Sequence, residues 1–270
     1  MNAKHLIFLL FLILISRPVS GDTIDVVLPP RPELKIKEYL YDVPKIFVAP
    51  FKADGKQWLR AGLLTSGVGL SMIADRPVNE AFTNKGTTSP NLTKYVLDPM
   101  GNGLITLPAL GTIGAYAWLK RDQDLFDYAA TAGWAFVFTR VLTQIPKYSF
   151  QRERPLDQIK PDPFAFHGLL GNRENKSFVS GHTASMFAFA AVTYHWFPEN
   201  RAYGWIAYGL ATAVGVSRLW QNEHWLSDVV GGAVLGYLCG DFIARRHKSI
   251  SKSPLSLSYS SNGIGFRYTF

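Results

Sequence analysis

Two histidines, an aspartate and three basic residues stand along this chain at spacings suited to chemistry on a phosphate. His224 and Asp228 are four residues apart at the expected start of a helix, which puts them on one face about a turn apart. Asp228 can then accept the Nδ1 proton of His224 and leave Nε2 free as a nucleophile, the orienting logic of a catalytic triad. Ser180-Gly181-His182 opens another helix, whose free backbone N–H groups favour a phosphate or an oxyanion, and Gly181 lets the backbone come close. His182 is placed there as proton donor to a leaving oxygen. Lys147, Arg154 and Arg218 can bind the equatorial oxygens of a phosphoryl group and stabilise the charge of an in-line transfer. These parts add up to phosphoester hydrolysis without a metal, and no cofactor is called for.

The residues fall in three polar islands, 147–155, 177–183 and 217–228, each at the end of an apolar segment. Six such segments, about 57–73, 104–119, 125–145, 181–197, 201–219 and 224–244, are long enough for helices of four to six turns. Several are apolar all round, which means burial in a bundle or in lipid. Between 181 and 244 the only charges are Glu199, Arg201, Arg218, Glu223, Asp228 and Asp241. The expected fold is therefore all-α, a six-helix bundle with a small C-terminal β-hairpin. Gathering so many polar groups at one end of an apolar bundle would be costly without an anionic guest. Arg140, His195 and Asp241 lie in apolar segments off the islands and read as structural pairs or snorkelling groups, while Arg152 and His167, at or near the first island, read as exposed loop residues, with substrate contact the alternative.

The flanks have a different character. Residues 1–21 have a basic start at Lys4, an apolar run and the small residues Ser20 and Gly21, the pattern of an export signal. Residues 22–56, punctuated by Pro29, Pro30, Pro32, Pro44 and Pro50, read as a surface wrap with a short strand at 23–28. The helical domain is expected over 57–246. In the tail, 247–270, apolar residues alternate on either side of Asn262-Gly263, the signature of a hairpin. Of 270 residues 18% are charged, and 28 basic against 20 acidic residues give a net charge of +8, which suits anionic partners. The single Cys239 excludes an internal disulfide framework and cysteine-rich metal sites. Mean hydropathy is only +0.05 because polar flanks dilute the apolar segments.

The three islands resemble the three motifs of the type 2 phosphatidic acid phosphatase superfamily, which includes lipid phosphate phosphatases, bacterial class A acid phosphatases and vanadium haloperoxidases. They read here as Lys147…Arg154-Pro155, Val179-Ser180-Gly181-His182 with Val179 where the family has proline, and Ser217-Arg218…His224…Asp228. The resemblance implies that His224 attacks phosphorus to form a phosphohistidine, Asp228 orients it, and His182 protonates the leaving group and then activates water. It further implies that Lys147, Arg154, Ser180, Gly181 and Arg218 bind phosphate. The implied substrate is a lipid phosphate, such as phosphatidic acid, phosphatidylglycerol phosphate, an isoprenyl diphosphate or a lipid A phosphate, or another organic phosphate. The expected partner is a membrane and not a nucleic acid, and the expected place is the cell envelope, with the active site facing the exported side or in the periplasm. A soluble broad-specificity acid phosphatase, a vanadate-dependent haloperoxidase and an inactive lipid-binding protein are the alternatives.

Overall fold

Asp54 fixes where the first long helix begins. Its carboxylate accepts from the Gln57 amide N–H at 2.8 Å while the Gln57 side chain accepts from the Asp54 amide at 2.9 Å, a reciprocal cap. The computed structural model describes residues 29–83, 91–157, 159–171, 176–251, 255–260 and 263–268. The expected export signal and the expected strand at 23–28 lie outside them. Two short helices come first, α1 (Ile36–Leu40) and α2 (Asp42–Val48), followed by α3 (Gly55–Ser71), α4 (Asp75–Thr83) and α5 (Asp98–Asn102). Next come α6 (Thr106–Lys120), α7 (Gln123–Leu142), capped by Asp122, and α8 (Gln144–Phe150). The long C-terminal helices are α9 (Gly181–Trp196), α10 (Ala202–Trp220) and α11 (Leu226–Ser251). Strands β1 (Leu255–Ser260) and β2 (Gly263–Tyr268) pair antiparallel, with Leu255 opposite Tyr268.

Helix α9 is the axis of the molecule and packs against α11, α10 and α7. Its seam with α11 is made by glycines every fourth residue. A Cβ on Gly232 would stand 2.5 Å from the Ser180 carbonyl oxygen, one on Gly240 2.5 Å from that of Ala188, and one on Gly236 would overlap Ala184. Small residues at this period let two backbones touch and hold the islands at one end in register. On the other sides of α9, Tyr128, Ala132, Ala135 and Phe138 of α7 meet Ala188, Val192 and Trp196, and Ala207, Ala211 and Val214 of α10 meet Met186 and Ala190.

Three local expectations are corrected. The wrap is partly helical, and it is pinned: Asp42, fully buried, accepts from His247 Nε2 at 2.7 Å and pairs with Arg246 Nε at 2.6 Å, and the Tyr39 ring stacks on His247 with centroids 4.3 Å apart. The segment 125–145 is not one helix. Pro146 has no N–H to bond back to Leu142, and it sits in the first turn of a new helix, α8, which carries Lys147. The last helix begins at Leu226, so His224 stands in the turn ahead of it and not on the helix itself. The outer surface is markedly apolar, with Leu59, Leu63 and Leu70 of α3 and Trp205, Ile206 and Leu210 of α10 exposed. Among the described residues one helix, Leu226–Lys248, is long and apolar enough by length and composition to cross a membrane.

Candidate active site

The start of α9, the turn before α11, the end of α10 and the short helices α5 and α8 enclose a cavity of about 660 Å³. Six of the eight residues singled out in the sequence line it: His224, His182, Lys147, Arg154, Gly181 and Arg218. Asp228 lies behind His224, fully buried. Ser180 is the exception. Its hydroxyl accepts from Thr183 at 2.9 Å, its N–H donates to the Asp228 carbonyl at 2.9 Å, and the residue is buried away from the cavity wall. It braces the loop, and the expectation that it binds phosphate has no exposed donor to rest on.

His224 is built as a neutral base. Its Nδ1 faces Asp228 Oδ2 at 3.6 Å and Ser177 Oγ at 3.4 Å, which leaves the other ring nitrogen for the cavity. Asp228 is itself held: Oδ2 accepts from the Ser177 hydroxyl at 2.5 Å and the Trp225 amide at 2.8 Å, and Oδ1 from Arg152 at 2.6 Å. Burial, together with the charges of Lys147 and Arg218, pulls the His224 imidazolium down from its ordinary value to about 3 against the opposing pull of Asp228. At neutral pH the ring is therefore uncharged, as a nucleophile requires. The Lys147 ammonium, which donates to the Lys176 carbonyl at 2.5 Å, is pulled down to about 7, first by burial and then by the Arg154 charge.

Arg152 is the residue the sequence misplaced most. It is fully buried, and each of its N–H donors is used: Nε and Nη2 on the Pro163 carbonyl at 2.9 and 2.6 Å, Nη1 on Ser227 Oγ at 2.7 Å and Asp228 Oδ1 at 2.6 Å, and Nη2 on Asp75 Oδ2 at 2.6 Å. Asp75, buried at the head of α4, also accepts from the Ser227 amide and hydroxyl, both at 2.7 Å. A guanidinium shared by two carboxylates thus fixes Asp228 from behind. Such a buried cluster is tolerable only because its donors and acceptors are satisfied. Nothing in the local sequence marks Arg152, since its partners lie 76 and 77 residues away.

On the opposite wall His182 Nε2 lies 3.4 Å from Asp98 Oδ1, and Asp98 also accepts from Arg218. Glu223 pairs with Arg154 and lies 3.6 Å from Arg218. Asp98 and Glu223 were not singled out in the sequence. The Asp98-Pro99 pair does signal a helix start, but only the fold points that helix at His182. Arg140, expected to be structural, lines the cavity instead, because α7 turns this face toward Gly181. The pair His195–Asp241, at 2.6 Å, lies elsewhere in the bundle, and His167 pairs with Glu153 at the same distance.

Residues 128–250 match the PAP2 superfamily, the family that the three motifs resemble. The fold is similar to that of the transmembrane PAP2 type phosphatidylglycerolphosphate phosphatase from Bacillus subtilis, with a TM-score of 0.53 and 22% identity over 72% of this chain and 96% of that one. Among curated proteins, 115 residues are 35% identical to a lipid A 1-phosphatase from Porphyromonas gingivalis, covering 42% of this chain and 22% of the relative. A further 35% identity over 126 residues relates it to the bacitracin transport permease protein BcrC of Bacillus licheniformis, covering 47% of this chain and 59% of that protein. The chain thus spans less than two thirds of the length of these curated relatives.

Proposed function

We propose that this protein is a metal-independent phosphatase of a membrane lipid phosphate that works through a phosphohistidine on His224. The observation that carries the proposal is an imidazole backed by Asp228 and opening into a cavity lined with Lys147, Arg154 and Arg218. In the first step His224 Nε2 attacks phosphorus, the bond to the leaving oxygen breaks, and His182 gives that oxygen a proton. In the second step His182 takes a proton from water, the resulting hydroxide attacks the phosphohistidine, and His224 leaves neutral. The three cations and the helix start at Gly181 stabilise the equatorial oxygens as charge develops. The lipid A 1-phosphatase among the similar proteins, and the exposed apolar faces of α3 and α10, support a lipid substrate and a place in the envelope membrane, and the export-signal pattern of residues 1–21 is the ground for putting the cavity on the exported side. Incubation with a lipid phosphate radiolabelled on phosphorus and an alkaline denaturing quench tests the scheme: acid-labile label is expected on the parent protein and absent from His224→Ala. Label that survives the substitution rejects the nucleophile assignment.

A further inference from the structure

The cavity holds more positive charge than one phosphoryl group requires, and that charge is unevenly committed. Arg154 and Arg218 face carboxylates, Glu223 and Asp98, and Lys147 donates to a carbonyl. Arg218 also has a buried Nε without a partner, but two carboxylates stand beside it. Arg140 lines the same cavity with no carboxylate paired to it among the described residues, and its buried Nη1 has no hydrogen-bond partner among them. A buried guanidinium donor left unpaired is costly, so its presence calls for an acceptor brought by a ligand. Its position says which part of the ligand that is. The guanidinium fills the space beside Gly181, where a Cβ would stand 3.1 Å from Nη1 and 3.3 Å from Cζ. Gly181, whose N–H faces the transferred phosphoryl group, directly precedes His182, the group assigned to the leaving oxygen, and the Arg140 charge is close enough to act on both His182 and its neighbour Asp98. Gln144, one turn beyond Arg140 and also in the cavity wall, adds a neutral donor.

We propose that Arg140 forms a second phosphate subsite on the leaving-group side, which takes the inner phosphate of a lipid diphosphate. The inference rests on the phosphatase reading and adds a specificity determinant to it. When His224 attacks the terminal phosphorus, the bond to the bridging oxygen breaks and that oxygen keeps the electron pair and takes the His182 proton. The departing lipid monophosphate is held through its non-bridging oxygens by the Arg140 fork. A monophosphate substrate presents an alcohol oxygen there and leaves Arg140 unused.

Initial phosphate release from farnesyl diphosphate and farnesyl monophosphate, which share one chain, tests this. Loss of a charged hydrogen bond of this kind lowers kcat/KM by roughly 30-fold, so Arg140→Gln should lose about that much on the diphosphate and only a few-fold on the monophosphate. Arg140→Lys should recover part of the preference, and Gly181→Ala, which crowds the guanidinium, should shift the ratio in the same direction as Arg140→Gln. Equal losses on both substrates, or no loss on either, overturn the subsite. Parent protein that releases phosphate from neither overturns the phosphatase reading itself.

Discussion

At the scale of single residues, two groups lowered by burial make predictions in different pH windows. Lys147 has its ordinary value near 10.5 lowered to about 7, so at pH 8 the empty site holds it largely neutral. A phosphate dianion favours the charged form, and binding should draw a proton from solution. Calorimetric titration with inorganic phosphate at pH 8, in buffers of different ionisation enthalpy, should show net uptake that Lys147→Arg abolishes. In folding, the unfolded chain keeps this proton between about pH 7 and 10.5 and the native one does not, so this group makes stability rise with pH across that window. His224, lowered from 6.5 to about 3, also makes stability rise with pH, but between those two values. Formation of the phosphoenzyme should accordingly persist well below pH 6.5, with no acid limb from His224 until about pH 3. Arg152 is a matter of stability first. Arg152→Met would strand two buried carboxylates, a loss on the order of 3–5 kcal/mol, read as a lowered midpoint of chemical unfolding in detergent.

At the scale of elements, the seam of α9 and α11 decides whether the islands meet at all. Gly236→Val would drive a side chain into the Ala184 backbone, and overpacking of this kind costs ~1–3 kcal/mol or more, so the thermal midpoint should fall and activity with it. The sequence carried the helical segments and the motif spacings because both are local patterns. What it missed is non-local. Arg140 looked structural because seven positions before Lys147 places it in an apolar run, and only the rotation of α7 against α9 turns it into the cavity. Arg152 looked like loop charge because Asp75 and Asp228 are brought to it by α4 and α11. The break near Thr143 was foreshadowed by Pro146, but periodicity runs on through a proline in the next first turn. Ser180 was assigned by its motif, and the motif does not tell a phosphate ligand from a loop brace.

At the scale of the whole molecule, the exposed apolar faces call for a hydrophobic surround. Monomeric soluble proteins seldom leave contiguous patches of this kind bare. The protein should partition into detergent and resist release by salt or osmotic shock; release by either treatment would reject the membrane placement. The anchored wrap has a different consequence, one that concerns time. Asp42 is a buried carboxylate whose partners Arg246 and His247 are more than two hundred positions further along the chain. Until that stretch has been synthesised, the carboxylate lacks the partners that accompany its burial, so this anchor of α1 and α2 cannot form, although Tyr39 can already meet Thr131 and Trp134. The early-made segment is therefore the late-settled one, and the contact that closes the fold joins the beginning of the described chain to the end of its last helix.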